Sequence, residues 1–227
     1  MVDASDPEPA ISARALAVPG PADGPIDLDI DAGGVTVLVG APGVGRTALL
    51  LTLAGRMRPA SGQLTVFGRT RVHDIFDGAA LAAIDGVDDV AETATVGDLI
   101  TEKLRWDANW YKVVRRADDA ALARVCGPVF GDLPVPSLSQ PVEDLSELDA
   151  MLLRIALADT GRPPLLVVGD LEQVTHDGSR ELLIGRLVAL GEQQTVITAS
   201  ANGVSTHPVR NIVVEDPGLA GPQKGEI

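Results

Sequence analysis

The sequence predicts an α/β fold: a mainly parallel sheet around a glycine-rich loop, with an antiparallel N-terminal edge and a small helical lobe. Three observations predict it. An apolar, β-branched run, Val35 to Val39, leads into Gly40, Gly43 and Gly45 and then into a helical stretch, Ala48 to Met57. Two later runs, Leu165 to Val168 and Thr195 to Thr198, have the length and content of buried parallel strands. Ile26, Leu28 and Ile30 alternate with Asp27, Asp29 and Asp31, the pattern of a half-exposed edge strand.

Strand, glycine-rich loop and helix in that order give a phosphate loop its physical context. Glycines permit positive φ and let the backbone approach a ligand with no Cβ in the way. Successive N–H groups then face one concavity, and the amino end of the helix adds unmet donors and the positive end of its dipole. The usual pattern, G-x-x-x-x-G-K-[ST], runs here as Gly40-Ala41-Pro42-Gly43-Val44-Gly45-Arg46-Thr47, with Ala48 next. Thr47 is placed to put a hydroxyl on a magnesium ion. Arg46 stands where the pattern has Lys; it keeps the charge but as a longer planar fork. The competing reading is a glycine-rich turn with no ligand.

Composition excludes several function classes. The 227 residues are 45% hydrophobic, enough for one sizeable α/β domain. The 18 basic against 32 acidic residues leave a net charge of −14, which opposes non-specific nucleic-acid binding and direct docking on anionic lipid. A single cysteine, Cys126, excludes an internal disulfide and fits a reducing compartment. Followed by Gly127-Pro128 at a helix end and with no His nearby, it reads as a buried structural thiol. No basic start followed by an apolar run marks a signal peptide, and no apolar stretch of about 18 residues marks a membrane span.

In order, residues 1–9 are acidic, carry proline and are expected to be disordered. Ile11 to Val18 is a first strand, followed by a proline- and glycine-rich link and the Ile26–Ile30 strand. After the loop and its helix come Leu53-Ala54-Gly55, a turn at Arg58-Pro59-Ala60-Ser61-Gly62, and a strand from Gln63 to Phe67 closing at Gly68. Thr95-Val96-Gly97-Asp98-Leu99-Ile100 opens a helical region. Ser146 reads as the N-cap of a later helix with Asp149 in its first turn. Pro163-Pro164 leads into Leu165 to Asp170; Val209 to Glu215 makes a last strand, and 216–227 is a loose tail.

A helix ending in L-A-G, a P-x-S-G turn and a short strand closing at a glycine resemble the ATPase subunits of ATP-binding cassette (ABC) transporters. The later segments extend the resemblance over nearly the whole chain. Thr95 to Ile100 resembles the segment opening that family's helical subdomain, Leu145-Ser146 the start of its signature helix, and Leu165 to Asp170 its magnesium-site strand. The resemblance implies a P-loop NTPase of ABC-ATPase type over residues 10–215, with the helical subdomain at about 85–155. It implies ATP and Mg2+ as ligands: Gly40, Ala41, Pro42, Gly43, Val44, Gly45, Arg46, Thr47 and Ala48 on the nucleotide, Thr47 and Asp170 on the metal, and Asp170 as the catalytic carboxylate. It also implies a cytoplasmic protein, peripheral to the membrane through a multi-span membrane subunit. The partner across the nucleotide is a second copy or another ABC ATPase.

The sequence departs from the family pattern in several places. Residues Ala10 to Ala32 lack the aromatic that stacks on adenine, and Ile84 to Thr95 lack the linker Gln, with Asp88, Asp89 and Glu92 among the polar residues there. Glu147, Leu148 and Asp149 replace signature residues. The magnesium Asp falls on Gly169 and the general base on Asp170; a shift of one residue makes Asp170 the magnesium Asp and leaves Leu171 for the base, unless Glu172 substitutes. The switch His falls on Ala201, with His207 six residues on in a loop. Phosphoryl transfer depends on positioning and charge neutralisation, so turnover is expected to be weak or lost while backbone phosphate binding persists. Two rivals stay open: a non-catalytic scaffold or regulatory partner, and an unrelated P-loop enzyme.

One further cluster stands apart. Trp106, Trp110 and Tyr111 lie within six residues, among Lys103, Arg105, Lys112, Arg115 and Arg116. Spaced four apart on a predicted helix, the tryptophans share a face. They read either as an interface, where aromatics and Arg are enriched, or as the core face of the small lobe.

Overall fold

A computed structural model describes residues 9–19, 25–88, 93–111 and 113–214. Residues 1–8 and 215–227, together with Asp89, Glu92 and Lys112, lie outside the described residues, so the expectations for both termini fall there. The strands are β1 (Ile11–Ala17), β2 (Ile26–Ile30), β3 (Gly34–Val39), β4 (Ser61–Val66), β5 (Ala79–Ala82), β6 (Leu165–Asp170), β7 (Thr195–Ser200) and β8 (Val209–Val213). The helices are α1 (Val44–Leu53), α2 (Val72–Asp77), α3 (Val96–Asp107), α4 (Asp119–Phe130), α5 (Glu147–Ala158) and α6 (Asp177–Gly191).

Five strands form a parallel sheet in the order β5-β6-β7-β3-β8. The antiparallel N-terminal strands make a separate sheet of three, β2-β1-β4, which takes in the strand after α1. Side chains alternate along the parallel strands and so feed two cores. Val35, Val37, Leu166 and Val168 face α3 to α6 with Leu152, Leu183 and Leu187. Leu38, Leu165 and Val167 face the other way, against Leu49, Leu50 and Leu53 of α1 and the antiparallel sheet. Central strands apolar on both faces are what a covered parallel sheet requires.

The second of these cores fixes α1 at the carboxyl end of β3. Its observed span corrects the expected one, Ala48 to Met57, at both ends. It starts at Val44 because the first helical bond is already made by Thr47 N–H to the Gly43 carbonyl, 3.3 Å. It stops at Leu53 because Gly55 turns left-handed, φ 66°, and the Gly55 and Arg56 amides fold back to Thr52 and Leu51. A Cβ at Gly55 would lie 2.5 Å from the Phe76 amide nitrogen, so only glycine fits this stop.

The helical lobe is α3, α4 and α5. Thr95 and Asp98 form a reciprocal capping box on α3, and Ser146 caps α5 by accepting from the Asp149 amide, as expected. Cys126 is not at a helix end: α4 continues through Pro128 to Phe130, and Arg186 of α6 donates to the Pro128 and Val129 carbonyls.

Candidate functional site

The candidate site lies where β3, α1 and β6 meet. Ala41 to Val44 are exposed, Gly45 and Thr47 half-buried, and Arg46 and Ala48 buried. Of the three loop glycines Gly43 has a positive φ, 159°, close to fully extended backbone; Gly40 and Gly45 have negative φ, and at those two the structure corrects the expectation of positive-φ turns. What Gly40 provides is close approach. The Gly40 amide donates to the Ser200 carbonyl, 3.1 Å, and a Cβ at Gly40 would lie 3.0 Å from the Val214 carbonyl.

No side chain caps the amino end of α1, and its first turn carries no carboxylate. The amides there are free of the usual competitor and lie beside Gly43, around which a Cβ would meet nothing within 4 Å. That arrangement fits an anionic phosphate.

Arg46 points elsewhere than a phosphate-seeking lysine would. It is 8% exposed. One guanidinium nitrogen, Nη1, donates to the Gly40 carbonyl at 3.0 Å; the other, Nη2, donates to Asp170 at 2.6 Å and to Glu172 at 3.5 Å. Nε is buried with no acceptor. Burial raises the Asp170 carboxyl above its ordinary range, against the opposing pull of Arg46. Glu172 is held on its other oxygen by the Ser200 hydroxyl and the Ala201 amide, each at 2.7 Å.

The backbone decides which residue of the Gly169-Asp170 pair faces the loop. β6 carries an extra residue between Val167 and Asp170 where it pairs with β7. The extra residue sets Gly169 against the Ala83 carbonyl, where a Cβ would lie 1.8 Å from that oxygen and 2.7 Å from Gln173 Nε2. Asp170 is thereby the carboxylate presented to α1.

These contacts test the implied metal. Asp170 is paired to Arg46, Glu172 is shared by Arg46, Ser200 and Ala201, and Thr47 alone is not a site. Among the described residues no group of three or more His, Cys, Asp or Glu is placed to hold a metal ion. Nucleotide-bound Mg2+ needs only one or two protein groups beside phosphate oxygens and waters; what opposes it here is that Asp170 and Glu172 are already engaged.

Behind the site runs a network that sequence reasoning missed. Gln173 donates to the Ala83 carbonyl and accepts from Arg154 of α5, and Arg154 donates to Asp88, which accepts from the Ala83 and Ile84 amides. Nothing in the spacing of Gln173 and Arg154 signals a contact. Glu147 is engaged by Thr175, amide and hydroxyl, which hold its carboxylate below the usual range. His207 is not at the site: its ring bonds Glu181 on α6 at 3.0 Å, so it does not supply the switch.

A family model described as ABC transporter matches residues 24–167, more than half of the chain. The chain belongs to the ABC transporter family. A Streptomyces avermitilis protein provisionally named an ABC transporter ATP-binding protein is 25% identical over an alignment of 227 residues, covering 89% of this chain and 38% of that one. A Rhizobium meliloti protein provisionally named ribose/galactose/methyl galactoside import ATP-binding protein 1 is 44% identical over 55 residues, 24% of this chain and 11% of its own length. The chain thus spans well under half of either relative. Among solved structures, one from Pyrococcus furiosus, provisionally described as an ABC transporter ATP-binding protein, superposes with a TM-score of 0.69. It is 18% identical and covers 90% of this chain and 96% of its own, which speaks for an ABC-ATPase fold. The family match ends at Val167, before Gly169 and Asp170, so it assigns no role to either.

The aromatic cluster also differs from expectation. α3 ends at Asp107, so Trp110 is not on the helix and shares no face with Trp106. Trp106 is 77% exposed, Trp110 95% and Tyr111 66%, which removes the reading as a core face. Trp110 and Tyr111 pack edge to face, ring centres 5.9 Å apart. No helix among the described residues is long and apolar enough to cross a membrane.

Proposed function

We propose that the chain is the ATP-binding subunit of a membrane-transporter-like complex, binding ATP on the Gly40–Ala48 loop and hydrolysing it weakly or not at all. The observation that carries this is the pairing of an uncapped α1 amino end with an Arg46 already committed to Asp170. The amides of the first turn receive phosphate. Arg46 and Asp170 neutralise each other, so the cation and the catalytic carboxylate that phosphoryl transfer needs are both withdrawn. In this reading residues 10–215 are one nucleotide-binding domain with its helical lobe, on the cytoplasmic face. A multi-span membrane subunit holds it there, and it pairs with a second copy or another ABC ATPase. Trp106, Trp110 and Tyr111 are the surface offered to the membrane subunit.

The same Arg46–Asp170 pair favours a second reading, a non-catalytic scaffold that binds no nucleotide. Calorimetric titration of the folded chain with ATP, combined with a phosphate-release assay, separates them. Saturable binding with negligible release is expected. Absence of binding moves the function to the scaffold, and sustained release contradicts the loss of turnover.

A further inference from the structure

We propose that Arg46 stands in for the divalent cation in this site, so that the chain binds a nucleoside triphosphate without Mg2+. The inference rests on the nucleotide reading above. In a P-loop site the metal links the phosphates to the carboxylates at the end of the neighbouring strand. Here that link is already made from the protein side. Nη2 of Arg46 holds Asp170 and Glu172, and Nη1 holds the loop at Gly40. A metal ion recruited by Asp170 has to displace a buried guanidinium from its shorter ion pair and leave it only Glu172 at 3.5 Å and the Gly40 carbonyl, which is costly.

Arginine suits the substitute role where lysine does not. Its planar fork presents five N–H donors along separate edges, so one side chain holds the two carboxylates and the Gly40 carbonyl at once. The Nε–H of Arg46 is buried with no acceptor. A buried donor left unmet is unfavourable, so the fork is held by its two Nη groups at the cost of one N–H. Arg46 offsets one of the two carboxylates, and the α1 amino end contributes about half a positive charge beside the phosphates.

The test is calorimetry of ATP on the full chain in Mg2+ and in EDTA, for wild type and Arg46→Lys, with circular dichroism to establish folding. For wild type the two dissociation constants are expected to agree within about threefold, while Arg46→Lys, which frees Asp170 for a metal, is expected to bind about tenfold or more weakly in EDTA. Electron paramagnetic resonance of Mn2+ added to the nucleotide-free wild type is expected to show free ion only, a readout that needs no variant. Wild-type binding that needs Mg2+, or Mn2+ held by the nucleotide-free chain, overturns the inference and leaves the nucleotide reading standing. An Arg46→Lys variant that remains indifferent to Mg2+ removes Arg46 from the role. No binding in either buffer overturns both.

Discussion

Arg46 Nη2 and Asp170 Oδ2 lie 2.6 Å apart, joining residues 124 positions distant in sequence. The contact fastens the first turn of α1 to the end of β6. It replaces a cation that would face the ligand with one that faces the protein. Arg46 is the buried partner, and the side chains of Asp170 and Glu172 are 30% and 37% exposed.

Arg46→Met is therefore expected to destabilise the chain, because it leaves two partly buried carboxylates side by side. Solvent reaches both, so the loss is about 1–3 kcal/mol, between the values for exposed and fully buried pairs. Denaturant unfolding measures it. Asp170→Asn in the Arg46→Met background is expected to recover part of the loss by removing the repulsion.

Restoring an acidic residue at Gly169 is expected to fail. A Cβ there would enter the Ala83 carbonyl at 1.8 Å. Backbone cannot yield as a flexible side chain does, so Gly169→Asp should cost about 3 kcal/mol or more and gain no phosphate release. A thermal melt and a turnover assay on the same sample check both halves.

The strands were legible because buried parallel strands carry continuous apolar, β-branched runs. Val35–Val39 and Leu165–Val168 needed no long-range information. The ends of α1 were less so. Its start depends on backbone amides that no side chain marks, and its stop on Gly55 lying against α2. Trp110 was misplaced because helical spacing continues past the point where α3 ends. The site was legible as a loop and not as a geometry. That Arg46 turns to Asp170, and that an extra residue in β6 selects Asp170 over Gly169, are pairings between elements distant in sequence.

Cys126 is buried, and burial pushes its thiol up to about 11. An unfolded thiol ionises at about 8.5. The folded chain thus keeps the neutral form while the unfolded one gains by ionising. This contribution to stability is intact below the unfolded value and is lost as pH rises through the folded one. Native Cys126 should resist a thiol reagent at pH 8 and react fully in denaturant; a Cys126→Ala comparison isolates its share of the alkaline decline in stability.

Trp106 and Trp110 are solvent-facing, so replacing both by Ser should change stability by no more than about 0.5 kcal/mol. Native tryptophan emission should be close to that of the denatured chain. Retention on the proposed membrane subunit should fall in the double variant; undiminished retention would remove this surface from the proposed interface.

In the proposed function, phosphate is received by backbone amides at the amino end of α1. Hydrogen–deuterium exchange of the chain, with and without saturating ATP, reads those amides directly. Slowed exchange confined to the peptide spanning Gly40–Ala48 is the predicted result. Unchanged exchange there, in a sample where calorimetry reports bound ATP, would place the nucleotide elsewhere and contradict the account.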